Sequence, residues 1–188
     1  MEQLFYGGAM VGMLPHDAQD MSLLREIPDN QEVFAHAKTD QSIIIEIMEY
    51  VQEPDEVALR IHFEELAESN DASGCEKSCI QAAGVLDLSQ ISLKECKSVY
   101  WLTGQQLVSK FKESALNNVN IHMVLFRLPT FMSDILVTFN DPINVNPESS
   151  SHHPMSTETV PWTMENFWTL INSLTLLDSG LFGEDRSS

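Results

Sequence analysis

Residues 119–142, VNIHMVLFRLPTFMSDILVTFNDP, decide the fold. They hold two apolar runs, Val119–Leu128 and Ile135–Phe139, the second ending at Asp141-Pro142. Short runs rich in Val, Ile and Phe read as strands rather than helices. Two runs of the same character precede them, Ile80–Leu88 and Ser98–Leu107, the latter built around Tyr100-Trp101-Leu102. Four such runs in succession predict neighbouring strands of a mainly antiparallel sheet.

Working outward, the segment from Pro161 places Phe167, Leu170, Ile171, Leu174 and Leu177 on one stripe, which predicts an amphipathic helix. Upstream, Pro54 at a first helical position, with Asp55 and Glu56 in the first turn, predicts another. That helix runs through Val57, Leu59 and Ile61 towards Phe63 and Leu66, although Ala58–Phe63 alternates equally well as a strand. A third is predicted with Asp40 as its cap and Ile43, Ile44, Ile47, Met48 and Val51 on its buried face. Gln31–His36 alternates weakly and reads as a strand. Residues 4–14, LFYGGAMVGML, read as a strand, a turn at Gly7-Gly8 and a second strand ending at Pro15. Between them, residues 16–30 are polar and acidic, with one helical turn at Ser22–Arg25 and a turn at Pro28-Asp29-Asn30. Residues 67–79 and 143–160 are polar and small, and read as flexible loops. The expectation is an α+β fold, a mainly antiparallel sheet covered by two or three helices, in a single domain spanning residues 1–188.

Composition narrows the function. Ten Lys and Arg stand against 28 Asp and Glu, a formal net charge of -18. Such a chain repels phosphate backbones and anionic lipid heads, which argues against nucleic-acid binding and membrane attachment. It attracts a basic partner and speeds the encounter; the competing reading is that the acidity serves solubility alone. Three cysteines, Cys75, Cys79 and Cys96, cannot pair completely and read as the reduced thiols of an intracellular protein. The opening MEQLFYGGAM has no basic segment followed by a long apolar run, so no signal peptide is expected. No apolar stretch reaches the roughly 18 residues of a membrane span. Nothing resembles a coiled-coil seam, and a monomer is expected.

Motifs for covalent chemistry are weak. Gly7-Gly8 is followed by neither Lys-Ser/Thr nor a helix start, so it is neither a P-loop nor a dinucleotide fingerprint. Cys75 and Cys79 with His62, or His152 and His153 with His122, lack paired ligands at zinc spacing. His36 and His122 lie in strand-like runs and read as structural histidines. A paired-carboxylate hydrolase would want an aromatic cleft, whereas Trp101, Trp162 and Trp168 read as core. No metal, cofactor or catalytic residue is predicted. The more informative segment is DAQDMSLLREIPDNQE, residues 17–32, with Asp17, Asp20, Glu26, Asp29 and Glu32 in a turn-rich context. Carboxylates on turns held by flanking strands are placed to receive Lys and Arg in charge-assisted hydrogen bonds; a plain solvated loop is the competing reading.

LFYGGAMVGMLP and DMSLLREIPDNQEVFAHAKTDQSIIIEI closely resemble the N-terminal half of the Mog family, the Ran guanine-nucleotide release factors. The resemblance continues through HFEEL (Phe63 among it, residues 62–66), WLTGQQ (101–106), LFRLPTFMSDILVTFNDP (125–142) and NFWTLINSLTLLDSGLF (166–182). The Arg-x-(Val/Ile)-Pro-Asp-x-Gln-Glu-Val motif at Arg25–Val33 is its most specific part, and residues 67–79 and 143–160 match least. The resemblance implies a three-layer α/β/α sandwich around an antiparallel sheet, shared with a photosystem extrinsic protein. It also implies binding to the GTPase Ran, release of its guanine nucleotide, a role in nuclear transport, and residence in nucleus and cytoplasm. On this chain the matching Ran-binding acids are Asp20, Asp29 and Glu32, with Glu26 and Glu65 expected at the rim. Vertebrate members are linked to surface delivery of a voltage-gated sodium channel, so an adaptor without exchange action is the alternative.

Overall fold

In the computed structural model, which describes residues 1–109, 116–144 and 159–183, the elements follow in this order. Strands β1 (Glu2–Phe5), β2 (Met10–Met13), β3 (Ala18–Asp20), β4 (Gln31–His36) and β5 (Ser42–Glu49) lead into helix α1 (Asp55–Ser69). Then come β6 (Ser78–Val85), β7 (Ser98–Ser109), β8 (Leu116–Leu128), β9 (Ser133–Asn144), helix α2 (Met164–Ser173) and the short β10 (Thr175–Leu176). Seven strands form one sheet in the order β3-β4-β5-β9-β8-β7-β6, and β1-β2-β10 form a smaller one. Every pairing is antiparallel.

The quoted stretch lies inside the large sheet. β8 and β9 pair from Leu128↔Ser133 outward, so the PTFM segment between them is the hairpin connection. Side chains alternate along a strand. Ile121, Met123, Leu125 and Leu136 therefore meet Ala58, Leu59 and Phe63 of α1 on one face. Val124, Phe126, Leu128, Ile135, Val137 and Phe139 meet Phe5, Met10, Phe167, Leu170 and Ile171 on the other. Both faces being covered, these strands have no polar alternation to show. The result is three layers: α1, the large sheet, and a layer made of the small sheet with α2.

The predicted helix capped by Asp40 is a strand. Ile43 and Ile45 enter the core beneath the small sheet, while β5 pairs with β9 from Ser42↔Asn140 to Glu49↔Ser133. Three successive isoleucines suit a strand, because branching at Cβ restricts χ1 in a helix. The opposite face is half-buried and carries Ile44 and Met48 beside Glu46, and apolar residues on both faces blur the alternation that would have distinguished strand from helix. The strand reading of Ala58–Phe63 also fails: Ala58, Leu59, His62, Phe63 and Ala67 form the buried stripe of α1. Pro54 precedes that helix as its cap rather than occupying its first turn. The helix also takes in residues 67–69 of the expected loop, and β6 takes in Ser78 and Cys79. β9 continues through Asp141-Pro142, which pair with Asn120 and Val119. Residues 145–158 of the second expected loop lie outside the described residues, as do His152 and His153.

The predicted C-terminal helix is α2, closed at its start by a capping box between Thr163 and Asn166. Phe167, Leu170, Ile171 and Leu174 are buried, but Leu177 lies beyond the helix and is exposed. Gly104 of WLTGQQ shows why that position carries no side chain. A Cβ there would stand 2.6 Å from both the Cys79 carbonyl oxygen and the Phe63 ring, so it would force α1 off β7.

The α1 face also holds a buried cation that the sequence reading passed over. Arg127 and Asp134 are both fully buried and paired across β8 and β9, with Nε 2.9 Å from Asp134 Oδ1. Arg127 donates further to the carbonyls of Val51 and Glu53 and to Asp55 Oδ1. Its guanidinium lies 4.3 Å from the Tyr50 ring centre. Asp134 Oδ2 in turn accepts from the Val51 amide. One side chain thus ties the β5–α1 connection, and the start of α1, to the sheet.

Candidate functional site

The turn at Tyr6-Gly7-Gly8 has three successive positive φ angles, 51°, 65° and 96°. Glycine adopts such angles freely, whereas tyrosine does so at a cost. Tyr6 is held there by hydrogen bonds. Its amide donates to Glu32 Oε1, and its single hydroxyl proton is shared between the carbonyls of Ile45 (2.8 Å) and Asn30 (3.2 Å). Burial pushes its phenol well above the ordinary tyrosine range, with the charges of Glu32 and Glu46 adding to the effect. It therefore serves as a donor.

Glu32 is a half-buried carboxylate of β4, on the face that carries Phe34. Burial raises its pKa most, the Tyr6 amide opposes this, and the charge of Asp20 raises it further. Asp20 ends β3, paired with Phe34 and so on the same face as Glu32. Its side chain accepts from the Ser22 amide at 2.8 Å and caps the 3-10 turn Met21–Leu23, where the sequence predicted a helical turn. Glu26 and Asp29 are exposed on the connection between that turn and β4. Beside Asp29, the Asn30 side chain donates to the Ile47 carbonyl, and the Asn30 carbonyl accepts from the Ile47 amide. The Pro28-Asp29-Asn30 turn is thereby tied to β5.

Glu65 is set apart from these four. It lies on α1, across the sheet, where Glu65 Oε2 meets His62 Nδ1 at 3.2 Å. Near it is Glu46 of β5, which the sequence reading missed because it sat inside the mistaken helix. Glu46 Oε1 accepts from Gln31 Nε2 at 2.6 Å. Burial pushes the Glu46 carboxyl up, Gln31 and His62 pull it down, and Glu65 adds to the rise. The five predicted acids are thus not brought onto one face of the β4–β5 edge. Asp20 and Glu32 share one face, Glu65, joined by Glu46, lies on the other, and Glu26 and Asp29 stand exposed on the connection before β4.

The sign of the Glu46 shift gives a test. A carboxyl whose pKa is higher folded than unfolded favours the fold below the unfolded value near 4.5, and that contribution is lost as pH rises through the folded value. Glu46→Gln, which keeps an acceptor for Gln31, should therefore stabilise the protein at pH 7 by about 0.5 kcal/mol, or ~1–2 °C in Tm. Thermal melts at several pH values should show the gap closing below about pH 4.5. A gap independent of pH would rule out titration as its cause.

The histidines read as structural are engaged. His36 Nδ1 accepts from the Lys38 and Thr39 amides, and its ring meets Trp162 edge-on. His122 bonds Thr103 and stacks on Phe139. Trp162 is buried, and Trp101 and Trp168 pack against the same core. Among the described residues, no three His, Cys, Asp or Glu converge as metal ligands, and no helix is long and apolar enough to cross a membrane. A cleft of about 480 Å³ between α1 and β6 is lined by Arg60, Phe63, Glu64, Cys75, Cys79 and Ile80 among others. Neither Glu32 nor Glu46 lines it.

Known proteins resemble this chain over most of its length. Residues 3–142 match the family described as Ran-interacting Mog1 protein. A zebrafish relative named Ran guanine nucleotide release factor is 50% identical over 186 residues, covering 97% of this chain and 100% of the relative. A fission yeast relative named nuclear import protein mog1 is 31% identical over 194 residues, covering 97% and 100%. The crystal structure of the budding yeast Ran-binding protein Mog1p superposes with a TM-score of 0.71 at 20% identity, covering 97% of this chain and 98% of that one. That likeness bears on the fold, and it supports the layered α+β architecture expected from the sequence. With matching family residues across most of its length and relatives aligned end to end, this chain belongs to the Ran-interacting Mog1 protein family.

Proposed function

We propose that this chain binds the GTPase Ran through the acidic end of its large sheet and promotes release of Ran's guanine nucleotide, serving nuclear transport. The observation that carries the reading is the Asp20–Glu32 segment, whose exposed acids lie between a 3-10 turn capped by Asp20 and a turn that Asn30 ties to β5. A braced backbone leaves less chain to order when its acids meet a cation, so more of each contact survives as affinity. Membership of a family of Ran-interacting proteins supports the partner, and the names of its relatives support the nucleotide release.

Release needs no covalent step. A factor that binds the nucleotide-free GTPase better than the loaded one shifts the population by that difference in affinity. Carboxylates suit this in two ways. They compete for the lysine that holds nucleotide phosphates, or they perturb the magnesium site electrostatically. Asp29 and Asp20 are the proposed anchors, Glu32 both anchors and braces, and Glu26 lies at the rim. Glu65 faces the other side of the sheet edge and belongs to the interface only if Ran wraps that edge. A protein of this kind acts in nucleus and cytoplasm, where Ran shuttles.

The deciding experiment is release of labelled nucleotide from loaded Ran, run with Asp29→Ala alongside. The wild-type chain should accelerate release. Asp29→Ala should weaken Ran binding roughly tenfold with thermal stability almost unchanged, since Asp29 is exposed. No acceleration at saturating protein would refute the release activity and favour an adaptor that binds without exchange. Unaltered affinity by calorimetry would remove Asp29 from the interface.

A further inference from the structure

The turn that Asp20 caps carries two adjacent leucines into solvent: Leu23 is 82% and Leu24 70% exposed. Exposed apolar residues scattered singly need no explanation. These two are neighbours, and the backbone beneath them is held. The Ser22 amide bonds Asp20, and the amides of Leu24 and Arg25 both bond the Met21 carbonyl at 3.0 Å. The turn also packs along β4, the strand that carries Glu32. The leucines follow Asp20 by three and four residues and precede Glu26 and Asp29. Two apolar side chains on a braced turn, bordered by acids, match the anatomy of a binding surface with an apolar centre and a charged rim.

We propose that Leu23 and Leu24 are the apolar centre of the Ran-binding surface, seating in an apolar depression on Ran that is bordered by Lys or Arg. This rests on the reading of the acidic segment as the Ran interface. Charge complementarity selects the occupant. A second copy of a chain with net charge -18 would bring acid against acid, and an anionic membrane would be repelled likewise. A basic protein surface satisfies the rim and covers the leucines together. The two components then act differently. Exposed acids steer the encounter and weaken with salt, whereas burial of the leucines slows dissociation and persists in salt.

The test is calorimetry of the full chain against Ran at about 0.1 M and about 0.5 M salt, with wild type, Asp29→Ala and the double variant Leu23→Ser/Leu24→Ser. The double variant should lose roughly tenfold or more in affinity, by a similar factor at both salt concentrations and mainly through faster dissociation. Its melting temperature should stay at or above the wild-type value, because both side chains are already in water in the fold. Asp29→Ala should lose more at low salt than at high. If wild type binds Ran and the double variant binds equally well, this inference is overturned while the functional reading stands. If wild type does not bind Ran, both are overturned. A wild-type chain that sediments as a dimer, with the double variant a monomer, would make a second copy the occupant and overturn the proposal.

Discussion

Arg127→Met should lower the free energy of unfolding by about 3–5 kcal/mol, the cost of breaking a buried ion pair from one side. The variant leaves Asp134 buried and without its cation, and strips the carbonyls of Val51 and Glu53 of a donor. It also removes the donor to Asp55 Oδ1, while Asp55 Oδ2 still accepts from Ser98 of β7. Urea unfolding should report the loss as a lower midpoint. The loss should not be repaired by raising pH, because deprotonation only increases the number of uncompensated charges. Replacing both partners, Arg127→Met with Asp134→Leu, should recover much of it, since two apolar groups leave no charge unpaired. If the double variant is no better than the single one, the carbonyl contacts to the β5–α1 connection carry the stability instead of the ion pair.

Glu32→Lys should reduce Ran affinity roughly 100-fold at physiological salt, well beyond the loss from Glu32→Ala. Alanine omits an anchor, whereas lysine sets an ammonium against a basic partner. Unlike Asp29, this position also carries weight in the fold. Both substitutions remove the acceptor of the Tyr6 amide, which sits in a left-handed turn that a tyrosine does not favour unaided. Each should therefore cost about 1 kcal/mol of stability, seen as a lower Tm that Asp29→Ala does not share. Calorimetry with melts on the same samples separates the effects. Equal affinity losses from alanine and lysine would mean that no partner charge faces Glu32.

The two variants act at sites of unequal legibility. The Asp20–Glu32 acids stood out because carboxylates, proline and asparagine gather there in a pattern that names turns by its chemistry. Arg127 lay within a strand correctly read from its apolar neighbours. Nothing in FRLP distinguishes a buried, paired arginine from an edge residue pointing to water, since its partners lie 7, 72, 74 and 76 residues away in sequence. Glu46 was hidden for a related reason. SIIIEIME has too many isoleucines to alternate, so its period pointed to a helix, and only pairing with β9 on one side and β4 on the other resolves it.

By itself, the sequence determined the parts whose signal is local. These are the strands β7, β8 and β9, the amphipathic α2, the Gly7-Gly8 turn, the acidity and the turn-rich segment that bears it. Tertiary structure decided what depends on partners far along the chain. It made β5 a strand, placed Asp20 and Glu32 on one face and Glu65 on the other, and converted Glu32 from a solvated acid into the brace of Tyr6. Local chemistry sets which conformations a segment favours, but which face a carboxylate occupies, and what it must neutralise there, follow only from the strand pairing that brings distant residues into contact.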